Sequence, residues 1–314
     1  MAKIAVFGEL LVDFTPAGDD RYQYNPGGGP ANMACMAKKR GAEASFIGQV
    51  GNDSFGRKLK AKLDSEGVDT EALKLSSEYP TTLAFVHHGK DGERSFSFYR
   101  HGSADTKIEV SELAKQKIDA AEAFYCSTVL MSEGSSADTS FELLKYAKEQ
   151  EKIIAFDPNL RPNLWDDEGR MRKVVLEAMQ YPDLVKMSEE ELAFLTEEEG
   201  LIPGIMWLVN TYRNIQTLII TQGAEGSTVF IEGEMVHVDS YEVKAIDTTG
   251  AGDAFMGAFL AEMLLSKETP ETVEMPAAMK MAAIANACGA LTTTAMGGID
   301  AQPSKDAVER LMNV

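Results

Sequence analysis

Short apolar segments and amphipathic segments alternate along most of the chain. The apolar runs are rich in β-branched and aromatic residues, which predicts β-strands. These strands are expected at 3–8, 44–50, 82–87, 95–99, 153–156, 217–221 and 227–231. Apolar residues at a spacing near 3.6 predict helices between them. The helices are expected at 31–40, 55–66, 111–116, 135–150, 168–179, 188–197, 252–265 and 276–291. This alternation predicts an α/β fold, a mostly parallel sheet with helices on both faces.

Two segments depart from this alternation. Between Pro80 and Arg100 two strand-like runs meet across the sequence Gly-Lys-Asp-Gly at 89–92, with no helix between them, which predicts a β-hairpin. The segment near 13–24 is also extended and rich in turn residues. We expect parts of 10–30 and 80–105 to form a small β-sheet that serves as a lid on one core domain, 1–314.

The most informative motif is a glycine turn that opens an apolar helix. Residues 247–253 read Asp-Thr-Thr-Gly-Ala-Gly-Asp. The amides of Gly250, Ala251 and Gly252 would point outward at the helix N-terminus, which suits the charge on a phosphoryl group in transfer. Asp253 could accept the proton of an attacking hydroxyl. The alternative is structural, with glycines that turn the chain and a carboxylate that complements the helix dipole.

A second glycine cluster, Gly-Gly-Gly-Pro-Ala at 27–31, precedes the first helix. Asn32 would project from its first turn, where a side-chain amide can both donate to and accept from sugar hydroxyls. Together with Asp13, which follows the first strand, it would form a polyol-binding pair. Taken alone, the cluster could simply be a loop that starts a helix.

Composition and missing motifs exclude several classes. The 314 residues hold 30 Lys and Arg against 49 Asp and Glu, a net charge of −19. This charge repels nucleic acid and anionic lipid, so an anionic ligand needs a local device such as helix amides, Mg²⁺ or a few arginines. No apolar run reaches the roughly 18 residues needed to cross a bilayer, and the three cysteines suggest neither a disulfide framework nor a zinc site. We therefore expect a cytoplasmic protein with no nucleic-acid or membrane partner.

Two nucleotide-binding motifs are also missing. No Gly-x-x-x-x-Gly-Lys-Ser/Thr sequence occurs, which excludes a P-loop enzyme. Phe255 occupies the third small position of a dinucleotide fingerprint, which argues against a Rossmann dehydrogenase.

The two glycine motifs, in this order and about 220 residues apart, resemble the signatures of the ribokinase (PfkB) family of sugar kinases. The resemblance covers essentially the whole chain. It implies a ribokinase-like three-layer α/β/α core with a small β-sheet lid, ATP as the phosphoryl donor and Mg²⁺ as a cofactor. A non-enzymatic sugar-binding protein with the same fold is the alternative from another class. The presence of Asp253 argues against it, because binding alone does not require a base.

The resemblance also implies a role for each matching position. Asp253 would be the catalytic base, and the amides of Gly250, Ala251 and Gly252 would form the anion hole. The sugar would be bound by Asp13, Gly28 and Asn32. The nucleotide would be bound by Thr221, Gly223, Gly226 and Asn286.

Cation sites are implied at two places. The family's Asn-x-x-Glu motif, which orders the water shell of Mg²⁺, is replaced here by Ser188-x-x-Glu191. Glu191 is therefore expected near Mg²⁺, although Ser188 and Glu191 also form a good capping box, which needs no metal. A potassium site is common in the family near Asp247, Thr249 and the carbonyl groups of 293–298, so K⁺ is a second expected cation.

Three segments bear on the identity of the sugar. Gly29-Pro30, the sequence around Arg100 and the Asp-Pro-Asn-Leu-Arg sequence that ends at Arg161 resemble fructokinases, which implies fructose 6-phosphate as the product. Arg100 and Arg161 would then reach the sugar. Two arginines could equally clamp a carboxylate, and 2-keto-3-deoxygluconate kinases of the same family share these features.

A homodimer could form through apolar edge residues of the lid.

Overall fold

The computed structural model describes residues 2–18, 21–88 and 94–313. The described strands are β1 Lys3–Phe7, β2 Leu11–Pro16, β3 Tyr22–Gly27, β4 Glu43–Gly51, β5 Leu73–Ser76, β6 Leu83–His88, β7 Arg94–Tyr99, β8 Ala123–Ser127, β9 Ile153–Asp157, β10 Leu184–Ser188, β11 Thr217–Thr221, β12 Gly226–Ile231 and β13 Glu234–Asp239. The described α-helices are α1 Gly29–Arg40, α2 Ser54–Ser65, α3 Glu112–Asp119, α4 Ser135–Glu149, α5 Glu168–Ala178, α6 Glu189–Thr196, α7 Leu201–Thr211, α8 Ala251–Leu265, α9 Met275–Thr292 and α10 Lys305–Met312.

Nine strands form the central sheet, in the order β13-β12-β11-β10-β9-β8-β1-β4-β5. Seven of them, from β11 to β5, pair in parallel, and β12 and β13 add an antiparallel edge. Alternate residues of β1 enter two different hydrophobic cores. Ile4 and Val6 face the core that holds α1, α8 and α9, whereas Ala5 and Phe7 face the core that holds α3 to α7. The predicted three-layer α/β/α architecture is confirmed.

The four remaining strands form a separate small sheet in the order β3-β2-β6-β7, which confirms the expected second sheet. Aromatic side chains attach it to the core. The ring of Phe14 on β2 stacks on Phe85 of β6 at 5.0 Å and meets the edge of Phe55 on α2 at 5.7 Å. The predicted hairpin turn at 89–92 lies outside the described residues.

Some elements were not expected from the sequence. Strand β10 carries Lys186 between apolar residues, and α7 contains Pro203 and Gly204, both poor helix formers. Pro203 is tolerated because it lies in the first turn of α7, where its missing N–H is not needed.

Among the described helices, none has both the length and the apolar character required to cross a membrane.

The connectivity of the sheet determines where a ligand can bind. Strand β1 lies between β4 and β8, so the chain builds the sheet outward from β1 in two directions. In open α/β sheets of this kind, ligands bind at the carboxyl ends of the strands beside such a switch point. Polar residues at or just beyond these ends are Glu9 after β1, Asp157 on β9 and Thr221 on β11, and Lys186 lies two residues before the end of β10.

Candidate active site

Two cavities lie side by side at the carboxyl ends of the strands. The larger has a volume of about 490 Å³ and the smaller about 370 Å³. Thr248 and Gly252, at the glycine turn that opens α8, line both of them. Two ligands bound in these cavities would therefore meet at the N-terminus of α8, where the helix dipole and the open amides favour negative charge.

Asp253 lies in the first turn of α8 and is only 8% exposed. Its Oδ2 accepts a hydrogen bond of 2.8 Å from Nδ2 of Asn32, and its Oδ1 accepts one of 3.4 Å from Nδ2 of Asn159. Asn32 belongs to α1, and Asn159 follows β9. The carboxylate is thus held from two separate elements while it lines the smaller cavity.

The glycine turn before α1 is fixed by Glu9. Oε1 of this carboxyl group accepts a hydrogen bond of 3.0 Å from the amide of Gly29. Gly28 has φ +115°, and a Cβ placed on it would lie 2.5 Å from the carbonyl oxygen of Glu9. Only glycine meets both conditions. The turn brings Gly28, Gly29 and Asn32 into the wall of the smaller cavity.

Two carboxyl groups in this wall have raised pKa values. Burial raises the pKa of Glu9 to about 8, although a backbone hydrogen bond and Arg100 lower it. Burial also raises the pKa of Asp13 to about 7, and Arg161 opposes this rise. Glu9 is therefore mostly protonated at neutral pH, and Asp13 titrates near neutrality.

A buried ion pair joins the end of β9 to the middle of β10. Nζ of Lys186 lies 2.6 Å from Oδ2 of Asp157, and the two side chains are 7% and 1% exposed. Burial lowers the pKa of Lys186, but the carboxylates of Asp157 and Glu191 raise it by more, so the ammonium group stays protonated. A Cβ placed on Gly252 would lie 2.9 Å from this Nζ, which puts the ammonium group beside the glycine turn of α8.

The two predicted arginines have different surroundings. Arg161 lines the smaller cavity and donates from Nη1 to its neighbour's carbonyl at 2.8 Å. Arg100 is 3% exposed and is not part of that wall. Its Nε donates to Oδ2 of Asp105 and its Nη1 to Oγ of Ser132, both at 2.7 Å. The structure thus brings Arg161 to the other predicted sugar residues, whereas Arg100 lies in a buried network at the base of the small sheet.

All four residues predicted to bind the nucleotide line the larger cavity; they are Thr221, Gly223, Gly226 and Asn286. Asn286 donates from Nδ2 to the carbonyl oxygen of Val238 at 2.9 Å, which fixes its amide against β13. Phe255, Val243 and Ala290 give this cavity apolar walls. Apolar walls of this kind accept a planar aromatic ring.

The carboxylates that were predicted to bind cations accept hydrogen bonds from backbone amides of the protein. Oε1 of Glu191 accepts from the amide of Leu160 at 2.6 Å, and Oε2 accepts from the amide of Ser188 at 2.9 Å, which completes the capping box. Asp247 accepts from the amide of Thr249 at 2.9 Å and from that of Gly297 at 3.0 Å. Across the described ranges no three His, Cys, Asp or Glu residues group as a metal site would need. The Mg²⁺ and K⁺ roles stay predictions.

No role was assigned from the sequence to Glu9, Asn159 and Lys186, although all three line the smaller cavity. Each carried a weak signal. Glu9 directly follows an apolar strand, and Lys186 interrupts one. Asn159 follows Asp-Pro, a turn-forming sequence, and in the structure it adopts φ +44°, a left-handed conformation that asparagine tolerates better than most residues.

Comparison with known proteins shows the family. Residues 1–305 match the family model described as pfkB family carbohydrate kinase, and the chain belongs to this family. It is therefore a phosphotransferase with an alcohol group as acceptor. A fructokinase of Vibrio alginolyticus is 37% identical over 312 residues, which cover 99% of each chain.

Two solved structures are similar over nearly their full length. Fructokinase from Vibrio cholerae O395, in a form with fructose, ADP and calcium ion bound, gives a TM-score of 0.89 at 30% identity and covers 99% of each chain. Fructokinase from Xylella fastidiosa with bound ATP gives 0.90 at 28% identity and covers 99% of this chain and 98% of the other.

Proposed function

We propose that this protein is an ATP-dependent fructokinase, which transfers the γ-phosphoryl group of ATP to the primary 6-hydroxyl of fructose and forms fructose 6-phosphate. The observation that carries this proposal is the meeting of the two cavities at Thr248 and Gly252, with the oriented carboxylate of Asp253 beside that junction. The sugar would occupy the smaller cavity and ATP the larger. The fructokinases among the relatives support fructose as the acceptor.

The proposed chemistry follows from this arrangement. Asp253 takes the proton of the 6-hydroxyl as that oxygen attacks the γ-phosphorus in line with the leaving ADP. Asn32 and Asn159 keep the carboxylate directed at the hydroxyl. The amides of the turn at Gly250, Ala251 and Gly252 stabilise the developing charge. Since the amide of Ala251 also makes a long bond of 3.3 Å to the carbonyl of Thr248, we expect the two glycine amides to contribute most.

The small sheet would act as the lid over the sugar. Asp13 on β2, the turn at Gly28 and the neighbouring Arg161 are assigned to fructose, because all of them line the smaller cavity. Closure of the sheet would exclude water and limit hydrolysis of ATP. A direct sugar contact from Arg100 stays a prediction, since its guanidinium group is already held by Asp105 and Ser132.

Mg²⁺ is proposed to reach the site with ATP. It would supply positive charge at the phosphates, and it prefers phosphate oxygens and water over an all-protein cage. Glu191 fits an outer role, because each carboxylate oxygen that accepts from an amide keeps a second lone pair for a metal-bound water. K⁺ near Asp247 and Thr249 is a further proposal, and activity with KCl against NaCl tests it.

The charge of the cavity bears on the alternative substrate. Asp253 and Asp13, which titrates near neutrality, are the acidic groups of the smaller cavity beside the mostly protonated Glu9. Arg161 and Lys186 are its cationic side chains within the described part of the chain. Lys186 is already paired with Asp157. A keto acid would bring a further negative charge into this space, so the cavity favours a neutral sugar over 2-keto-3-deoxygluconate.

Cell compartment and assembly are proposed on separate grounds. Cys35, Cys126 and Cys288 are free and buried, which suits the reducing cytoplasm, where ATP is also available.

A homodimer through the small sheet is supported by Tyr22 and Tyr99, which are 45% and 68% exposed on that sheet. A solution mass near 34.2 kDa, that of one chain, would contradict the dimer.

The activity is tested by ADP release from Mg-ATP with fructose, 2-keto-3-deoxygluconate, ribose and adenosine, each with and without KCl. We expect kcat/KM for fructose to exceed that for every other acceptor by at least about 100-fold, because a site built around hydroxyl contacts rejects molecules that leave its polar groups unpaired. Turnover of the keto acid alone would reassign Arg161 to a carboxylate. Sugar affinity without ADP release would favour a binding protein.

A further inference from the structure

Lys186 is an unusual residue for its position. It lies on β10, a strand within the central sheet, and its side chain is buried against Asp157. A buried ion pair is weak evidence for a stabilising role, because the desolvation of two charges often equals or exceeds their attraction. A pair of apolar residues would fill this part of the core at least as well. The position of the pair therefore calls for a reason other than stability.

The ammonium group lies at the junction of the two cavities. Lys186 lines the smaller cavity, and its Nζ is adjacent to Gly252, which lines both. The amide of Gly252 belongs to the open N-terminus of α8. The ammonium group and the helix amides thus both lie at the junction of the two cavities. A phosphoryl group transferred from one cavity to the other must cross this junction.

The surrounding charges keep this ammonium protonated. Asp157, Glu191 and Asp253 all face it closely enough to favour its charged form. Of the described residues that line either cavity, only Lys186 and Arg161 are Lys or Arg, and Arg161 lies on the sugar side near Asp13. In a chain with a net charge of −19, the junction needs a local cation to receive a phosphoryl group.

We propose that Lys186 is a catalytic residue that contacts the transferred phosphoryl group, and that Asp157 is the positioning residue that holds its ammonium at the junction. In the transfer step, the sugar oxygen forms a bond to the γ-phosphorus and the bond to the β,γ-bridging oxygen breaks. ADP leaves with that electron pair, and the hydroxyl proton goes to Asp253. Lys186 keeps its proton throughout and neutralises charge on the equatorial oxygens. The role in transfer rests on the proposed function.

A purely structural role of Lys186 would give different results for its variants. If Lys186 only paired with Asp157, the variant Lys186→Met would leave a buried carboxyl group without its partner, and the added change Asp157→Asn would replace that group with a neutral amide. If Lys186 acts on the phosphoryl group, the double variant stays slow although no buried charge remains unpaired. The double variant also guards against a folding defect in the single one.

The experiment compares the wild type, Lys186→Met, Asp157→Asn and the double variant. Arg40→Met with Glu262→Gln is the matched control, since that pair is also close at 2.6 Å and lies at the far end of α8. We expect kcat to fall about 10²- to 10³-fold in both variants that lack Lys186, as when an electrostatic donor is removed from an active site. The control pair should keep the wild-type kcat. A double variant within about fivefold of the wild type would overturn the proposal.

A second readout needs no sugar. Calorimetry of ATP and ADP binding with Mg²⁺ reports the contribution of the γ-phosphoryl group, and we expect Lys186→Met to weaken ATP about tenfold more than ADP. Equal weakening of both nucleotides, or of neither, would refute the contact. If the wild type fails to phosphorylate fructose, the proposed function fails, and this comparison of nucleotides still decides whether Lys186 meets the phosphoryl group.

Discussion

Asp253→Asn is expected to lower kcat by about 10²- to 10⁴-fold, the usual contribution of a positioned general base. Asparagine has the same shape and can still accept the hydrogen bond of 2.8 Å from Asn32 through its one amide oxygen, so that only the longer contact of 3.4 Å with Asn159 is lost. It cannot take the proton of the 6-hydroxyl. Fructose and ATP should bind with nearly unchanged KM values, because the loss falls on the transition state. Steady-state ADP release measures both parameters.

The matched control is Asp306→Asn. Asp306 also lies in the first turn of a helix, α10, and is exposed away from the cavities. If the carboxylate of Asp253 only complemented a helix dipole, both variants would keep the wild-type turnover and would lose at most about 2 kcal/mol of stability. Turnover of Asp253→Asn within about tenfold of the wild type would remove Asp253 from its role as base.

Asp13→Asn is expected to raise KM for fructose by about 10- to 100-fold, the cost of losing hydrogen bonds to a charged group. An amide keeps the size of the carboxylate but loses its charge and one of its two acceptor oxygens. At saturating fructose, kcat should stay within a few-fold of the wild type, because Asp13 is assigned to binding and not to proton transfer. Initial rates over a range of fructose concentrations give KM and kcat separately.

The same variant carries a pH signature. Burial raises the pKa of Asp13 to about 7, so the charged acceptor is lost as the pH falls through that value. In the wild type, kcat/KM for fructose should therefore decrease below pH 7, and Asp13→Asn should lack this inflection. A large loss of kcat with an unchanged KM, or an identical pH profile in the variant, would contradict the assignment to fructose.

The sequence predicted the parts of the site that depend on backbone geometry. Glycine turns before helices are recognisable, and both predicted turns line the smaller cavity. Asn32 and Asp253 are 221 positions apart and yet share a hydrogen bond. Their proximity follows from the packing of α1 beside α8, which periodicity alone does not give. The resemblance to a family supplied that link.

Other residues could not be placed from the sequence for physical reasons. A lysine in a short apolar run looks like an exposed edge residue, and only the neighbouring β9 with Asp157 reveals that Lys186 is buried. Glu191 fits a capping box and a metal sphere equally well, and its oxygens accept from two backbone amides. Arg100 fits a sugar contact by motif but is held by Asp105 and Ser132.

The most direct test of the central claim is the identity of the product. Purified enzyme is incubated with Mg-ATP and fructose, and the sugar phosphate is analysed by phosphorus and proton NMR, which reports the carbon that carries the phosphate. We expect fructose 6-phosphate, formed in step with ADP and absent with Asp253→Asn. Fructose 1-phosphate, or ADP without any sugar phosphate, would contradict it.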